Sequence, residues 1–555
     1  MPKPDKEARL KVQLNKEQAE GLFYLSLVMA GLFAFLFLGS GEPVLFDDSG
    51  AYLRVERVEG VMPVYPLFLL INQYLFGDES YLQIVIVEQA ILSVICVTSW
   101  IKTIKEKFAL KYWEAYLAFG LSLIPFTTDM PLAMSTQEIL TEGIAYGLFY
   151  LFMSMVLKAV WTRKYEYLVG TYGAVLLLAM VRSQLQILFG VCGIVFLYMT
   201  LVKGERKNKA AVWGRVLSGL AGCLIISLLG VLMISRITVG YKDMIRNHEG
   251  FSVFVMRVQS PASYQSYLEE KLAEQAKQEE NAETEAAGEI VSDSAEAQED
   301  TGKDGQTETE EEKLLRKGFS PSQYVSLIFS RGMYEADPED AELFEDEVVR
   351  GLFLELYEAA DAAGERYPYA QKGLWMWKDI VGGIGKVGKT CLSVPSEYYV
   401  ANYPDIIRSD DFSDIRNAHL QTIGMTLLKE HFGRFLYHTL MLLPQAFICT
   451  VFFQIAPIYL LCHLATLFLY VSALALMAWG YADKRVDNKY AEFMALVLGT
   501  NVVMVLIISL VFFGQQRYLV YNFGIFYIAY GLLVQQLWKC RLRDRVLTKR
   551  GKQGL

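Results

Sequence analysis

Histidine and cysteine are scarce in this chain. Five histidines (His248, His419, His431, His438 and His463) stand among 555 residues, and the nearest two, His431 and His438, are seven apart. That is no ligand spacing, which argues against a zinc site. The seven cysteines (Cys96, Cys192, Cys223, Cys391, Cys449, Cys462 and Cys540) include no CxxC pair, and most lie in apolar runs. They read as small buried hydrophobes and imply no disulfide framework. A basic surface is missing too. The net charge is −9, but residues 269–312 alone hold 17 acids and three lysines, a local −14 that leaves the rest near +5. Nucleic acid is therefore excluded as a partner. The acidic segment has too little apolar surface to fold and reads as a disordered insert. No internal repeat is visible, which argues against an inverted-repeat transporter.

What the chain has is long apolar runs. It is 53% hydrophobic with a mean hydropathy of +0.26. Runs of about 20 residues recur, each long enough for a hydrocarbon core about 30 Å thick. Short alternating segments, the mark of a barrel, are absent. The fold class is an all-α polytopic membrane protein of about 10 (10–12) transmembrane helices. Ten spans are expected, at 21–40, 82–101, 113–127, 143–161, 166–182, 185–202, 213–235, 455–479, 491–513 and 518–538. The first is too long and too poorly followed by a cleavage site for a signal peptide, and reads as a retained anchor.

Lysine and arginine collect in Lys102–Lys111, Lys158–Lys164 and Lys203–Lys209, and again after residue 540. The positive-inside rule then predicts both termini in the cytoplasm of a multi-pass protein of the cell membrane. The organisation is a tail (1–20), an N-terminal transmembrane module (21–235), a large extracytoplasmic region (236–453), a C-terminal module (454–540) and a second tail (541–555). Residues 435–453 are apolar enough to cross. A crossing there would turn the basic Lys484–Arg485 loop outward, so this stretch is expected to be an interfacial or re-entrant helix. Within the large region, 340–380 reads as amphipathic helix with Trp375 and Trp377 as interface anchors.

This topology puts a set of polar residues at one membrane face: Asp47 and Asp48 after the first span, Arg54 and Arg57 beyond them, Glu142 at the start of the fourth span, Arg182 at the end of the fifth, and Arg517 with Tyr518 at the start of the tenth. Carboxylates at an interface can deprotonate a hydroxyl or hold a metal. Arginines can neutralise a phosphate with two hydrogen bonds. Plainer explanations exist for each. Asp47-Asp48 can cap a helix, Glu142 can complement a helix dipole, and the arginines can snorkel to the interface.

Asp47-Asp48 after the first span, Pro63-Val64-Tyr65-Pro66-Leu67 opening an apolar run, Gln89 in the second span, Glu142, Val181-Arg182 and Arg517-Tyr518 together resemble the GT-C superfamily of integral-membrane glycosyltransferases, in particular protein O-mannosyltransferases and bacterial aminoarabinose transferases. The likeness covers 21–235 well and 236–453 thinly. The family often carries Asp-Glu where this chain has Asp-Asp, and the acidic insert has no counterpart. The resemblance implies a sugar donor on polyprenyl phosphate, transfer to a hydroxyl acceptor of unknown identity outside the cytoplasm, and contact with membrane lipid. Asp47 would be the general base, with Asp48 able to stand in and Glu142 the second catalytic carboxylate. Arg182 and Arg517 would contact the donor phosphate, and Arg54, Tyr65 and Tyr518 would complete the substrate-binding set. The resemblance fixes no cofactor, and a divalent cation is compatible.

Two other functions stay open. A transporter or flippase of lipid-linked glycans would need ionisable groups within spans, of which Glu88 is the best. A polymerase or ligase would rest on loop residues such as His419 and Arg408. The stretch Gly383-Ile384-Gly385-Lys386-Val387-Gly388-Lys389-Thr390 matches the P-loop pattern. It lacks the strand before it, so ATP is not expected as a partner and a flexible glycine-rich turn is.

Overall fold

The computed structural model describes residues 6–38, 41–46, 48–53, 61–127, 134–202, 209–248, 258, 323–362, 376–409, 411–452, 458–511 and 514–553. Among these no strand forms, and extended pairing is limited to two isolated bridges. The acidic insert 269–312, Trp375, Asp47, Arg54 and Arg57 lie outside the described residues.

The first part of the chain gives α1 (Lys6–Phe37), the short α2 (Ser49–Leu53), α3 (Val64–Phe76), α4 (Tyr81–Phe108), α5 (Tyr112–Leu123), α6 (Glu142–Thr162), α7 (Tyr165–Val181), α8 (Leu188–Val202) and α9 (Lys209–Asn247). A helical unit outside the apolar bundle follows: α10 (Gln323–Tyr334), α11 (Glu347–Ala362), α12 (Met376–Asn402), α13 (Pro404–Arg408) and α14 (Phe412–Glu430). The chain then returns through α15 (Phe432–Val451) to α16 (Tyr459–Ala482), α17 (Asn488–Val511), α18 (Gln516–Leu519) and α19 (Phe523–Gln553). Among the described residues eight helices are long and apolar enough to cross a membrane, and they coincide with eight of the ten predicted spans. The other two are shorter. α7 has 17 residues, and α5 has 12 before a 3-10 turn at Ile124–Phe126, where Pro125 cannot continue an α-helix. α9 runs on to Asn247, beyond the predicted end at 235, because Tyr241 and Ile245, one turn apart, seat against Leu70 of α3.

One apolar core joins both transmembrane modules. Trp100 of α4 lies against Phe493 of α17, with ring centroids 5.9 Å apart, and Phe108 against Tyr490 at 4.9 Å. In lipid, burying leucine against leucine gains little over burying it in acyl chains, so close approach decides packing. α4 and α6 achieve it through Gly147, where a Cβ would stand 2.9 Å from Ser93 Cα. Ser93 Oγ then donates to Gly143 O at 3.2 Å. Such bonds between membrane helices contribute about 0.6 kcal/mol on average.

The bundle has two unlike ends. One collects the basic turns: Lys105 pairs with Glu20 at 3.5 Å, Lys107 lies over the Trp161 ring at 4.9 Å, Lys489 lies over Phe108, and Gln535 donates to Glu114 at 2.8 Å. The other end carries a buried irregular segment, 134–141. Val44 N donates to Gln137 O and Ile139 N to Val44 O, both at 2.9 Å, and the Gln137 amide reaches Phe35 O at 3.1 Å. Non-helical backbone is tolerated at such a place only where protein groups take up its hydrogen bonds.

The extramembrane unit has its own core. On α11, Val349, Leu352, Phe353, Leu356 and Ala360 are buried at helical spacing and meet Phe329, Tyr399, Leu420 and Ile423. The amphipathic helix expected within 340–380 is α11, together with the start of α12, which bears Trp377. The glycine-rich stretch expected as a turn is instead helix, deep inside α12. Its small residues serve packing, since a Cβ on Gly388 would collide with the Ser330 side chain.

α15 is not among the eight long apolar helices. Its first half carries the extramembrane unit, and its second half lies among the spans. There Thr450 Oγ1 bonds Tyr470 Oη at 2.7 Å and Tyr527 Oη donates to Val451 O at 2.6 Å.

Candidate functional site

The polar residues picked from helix ends do meet, at the bundle end opposite the basic turns. α6 and α7 are joined by a tight turn at the basic end, where Arg163 takes the left-handed φ of +56°. The start of α6 and the end of α7 therefore come together at the other end. Glu142, the first residue of α6, holds Arg182, just past α7, at 2.6 Å between Oε1 and Nη1. Both are buried, at 3% and 8% exposure. Thr141 Oγ1 donates to Glu142 Oε2 at 3.1 Å, and Arg182 Nε donates to Gln184 Oε1 at 2.9 Å.

The Tyr518 ring links this pair to a second one. The Arg182 guanidinium lies 4.9 Å from the ring centroid and that of Arg517 5.0 Å. Arg517 Nη1 contacts Asp48 Oδ2 at 2.9 Å, with the two side chains 39% and 53% exposed. Arg517 also donates from Nε to Gln515 Oε1 at 3.1 Å and from Nη2 to Tyr518 Oη at 3.0 Å. Its carbonyl accepts from Tyr146 Oη at 3.2 Å. The first pair is thus sealed in the protein and the second lies at its rim.

Tyr65 sits one layer below. It has no exposed surface, and its hydroxyl donates to Gln89 Oε1 at 2.9 Å. Gln89 in turn donates to Thr136 O at 2.9 Å and Glu138 O at 3.1 Å, which fastens the buried segment that leads into Glu142. Tyr65 thus anchors the floor of the site, and Tyr52 lies edge-on to it at 5.3 Å. Tyr52 lies within electrostatic range of Arg182, Glu142 and Asp48. Burial pushes the Tyr52 phenol up to about 12; Arg182 opposes this, and Glu142 and Asp48 add to it. It is a neutral hydrogen-bonding group there, not a base.

Asp48, Glu142, Tyr65, Arg182, Arg517 and Tyr518 are therefore brought together, whereas Asp47 and Arg54 fall outside the described residues. Sequence reasoning missed three tyrosines: Tyr52, Tyr146 and Tyr521. Tyr146 follows Glu142 by four positions within α6, the spacing that returns a helix to the same face, whereas Tyr52 and Tyr521 carry no such signal, since Asp48 precedes α2 and Tyr521 lies in a 3-10 turn after α18. Tyr146 and Tyr521 meet edge to face at 4.8 Å. Among the described residues no three His, Cys, Asp or Glu side chains gather as metal ligands. Glu88 accepts from Asn72 Nδ2 at 2.8 Å. His419 bonds the Tyr399 hydroxyl at 2.6 Å inside the extramembrane unit, and burial lowers its pKa.

Magnitudes separate the two arginines. Removing one partner from a buried ion pair costs about 3–5 kcal/mol. An exposed pair is worth about 0–1 kcal/mol. An incoming anion can therefore take Arg517 from Asp48 with little loss, but not Arg182 from Glu142. Fold and site define the class: an all-α polytopic membrane protein with a sealed and an open carboxylate–guanidinium pair at one end of its bundle. A comparison with protein-family models, curated proteins and solved structures finds no match to this chain.

Proposed function

We propose that this protein is a membrane glycosyltransferase that moves a sugar from a polyprenyl-phosphate donor to a hydroxyl acceptor on the extracytoplasmic side. The observation that carries the reading is the pairing of a replaceable carboxylate, Asp48, with an arginine, Arg517, beside the sealed Glu142–Arg182 pair. The basic turns at the opposite end support a reading with that end and both termini in the cytoplasm and the site outside. A lipid-linked donor suits a site at the end of an apolar bundle, because the prenyl chain stays in lipid while the phosphate reaches the interface.

The reaction follows from the charges. The donor phosphate displaces Asp48 from Arg517 and takes up its guanidinium hydrogen bonds. Arg182, held by Glu142, adds fixed positive charge at a low-dielectric position without having to reorganise. The freed Asp48, or its neighbour Asp47, accepts the proton of the acceptor hydroxyl. The acceptor oxygen forms a bond to the sugar C1 as the C1–O bond to phosphate breaks, and polyprenyl phosphate leaves with the electron pair. Tyr52, still protonated, donates to an oxygen of the reacting groups.

The test is release of polyprenyl phosphate from a radiolabelled polyprenyl-phosphate-sugar pool in membranes holding the protein. The exchange of partners at Arg517 makes an unusual demand on Asp48→Asn: donor KM falls, since no carboxylate competes, while kcat also falls. A variant that loses kcat with donor KM unchanged would remove the exchange step. Absence of release from every donor, with the protein correctly inserted, would remove the transferase reading.

A further inference from the structure

We propose that α15 braces the arginine at the rim of the site against the extramembrane unit, and that Gln445 is a positioning residue for Arg517. One stripe of α15 does both tasks. His431, Arg434, His438, Leu442, Gln445 and Cys449 recur at three- and four-residue steps, so they share a face. The first part of the stripe grips the extramembrane unit. His431 Nε2 meets Asp340 at 2.7 Å, Arg434 pairs with Asp337, and His438 Nδ1 meets Glu335 Oε1 at 2.8 Å. The fully buried Arg331 donates to Thr439 Oγ1 at 2.7 Å and lies over the Phe435 ring at 4.8 Å. Removing a partner from such a buried group is costly, so this grip is firm.

The far part of the stripe grips the turn before Arg517. Gln445, 1% exposed, donates its amide N–H to the Gly514 carbonyl, and Cys449 Sγ lies 3.8 Å from the same oxygen. The approach is so close that a Cβ on Gly514 would stand 2.5 Å from Ala446 Cα. From Gly514 the path to the site is short. Gln515 Oε1 accepts from Arg517 Nε at 3.1 Å, and Gln515 O accepts from Tyr518 N at 3.0 Å. The guanidinium that the donor phosphate must find is thus fixed through Gln515, Gly514 and Gln445 to a helix whose other half is held outside the bundle. The helix runs unbroken through Pro444, which only removes one backbone donor there, so the two halves of α15 stay one rod.

The mechanical link is independent of the reaction, while its effect on catalysis rests on the transferase reading. Hydrogen–deuterium exchange of residues 514–522, followed in nanodiscs, reads the link directly. Gln445→Met keeps the length and removes the donor, and the expected result is faster exchange over 514–522 with protection over 323–430 retained. In the release assay the same variant should raise donor KM about tenfold, the worth of roughly one hydrogen bond, with acceptor KM unchanged. Arg434→Gln, at a partly exposed tether in the other half of α15, is the second variant and less prone to misfold; a smaller rise over 514–522 is expected. Unchanged exchange there in both variants overturns the proposal. A rise in exchange in a protein that releases no polyprenyl phosphate from any donor supports the brace and counts against the transferase alone.

Discussion

The inner and outer halves of the site are built from the same two functional groups and behave in opposite ways. Inside, Glu142 and Arg182 are sealed under Tyr518, with Thr141 and Gln184 holding one partner each. At the rim, Asp48 and Arg517 form the same kind of pair in reach of water. Burial turns the first into a fixture, because breaking it strands a charge in a poor dielectric. Exposure makes the second interchangeable, because water and incoming anions compensate either partner. Chemistry that must let a substrate in and still keep positive charge in place needs one pair of each kind.

The largest effect is expected where that fixture is broken. Glu142→Gln should destabilise the protein by about 3–5 kcal/mol, seen as a lower unfolding temperature in detergent. Glu142→Gln combined with Arg182→Met should recover most of the loss, and a double variant no better than the single one would show that the pair is not the cause. Next comes Arg517→Gln at the rim. Its stability should change by no more than about 1 kcal/mol, while release activity falls about a hundredfold, roughly 2.7 kcal/mol of barrier. If stability and activity fell together, the contrast between the halves would be lost. Tyr146→Phe removes one hydrogen bond to the Arg517 carbonyl and should cost about 1 kcal/mol. The smallest effect is salt: raising ionic strength should weaken donor binding at the rim and leave the unfolding temperature set by the inner pair nearly unchanged.

Much of this was legible in the sequence because lipid imposes simple rules. Ten apolar runs gave ten helices, and charge at helix ends on one predicted face gave Asp48, Glu142, Arg182 and Arg517. Less legible were features set by tertiary contact. Nothing in the sequence marked the connection between the third and fourth predicted spans as buried, yet its described part, 134–141, is, because Gln89 satisfies its carbonyls from a helix some fifty residues earlier. Tyr65 is buried beneath Tyr52 with its hydroxyl on Gln89, a placement that pattern alone does not show. The glycine-rich stretch 383–390 was expected as a turn and is helix, where Gly388 allows a close approach to Ser330 that the sequence alone does not show. The stretch 435–453 was set apart from the spans by charge bookkeeping and by His438 and Pro444 within it; the second task of α15, on the Gly514 turn, depends on an approach of backbones that no single stretch encodes.

The shortness of α5 has a consequence for the membrane itself. Twelve residues of helix rise about 18 Å, well short of a hydrocarbon layer about 30 Å deep. Trp113 and Leu117, at 60% and 59% exposure, show that α5 faces outward. Acyl chains beside it must therefore splay or shorten to meet it, a hydrophobic mismatch that costs fractions of a kcal/mol per Å. The bilayer would then dip on the flank of the bundle where α5 ends, and the headgroup region would descend toward the floor of the site.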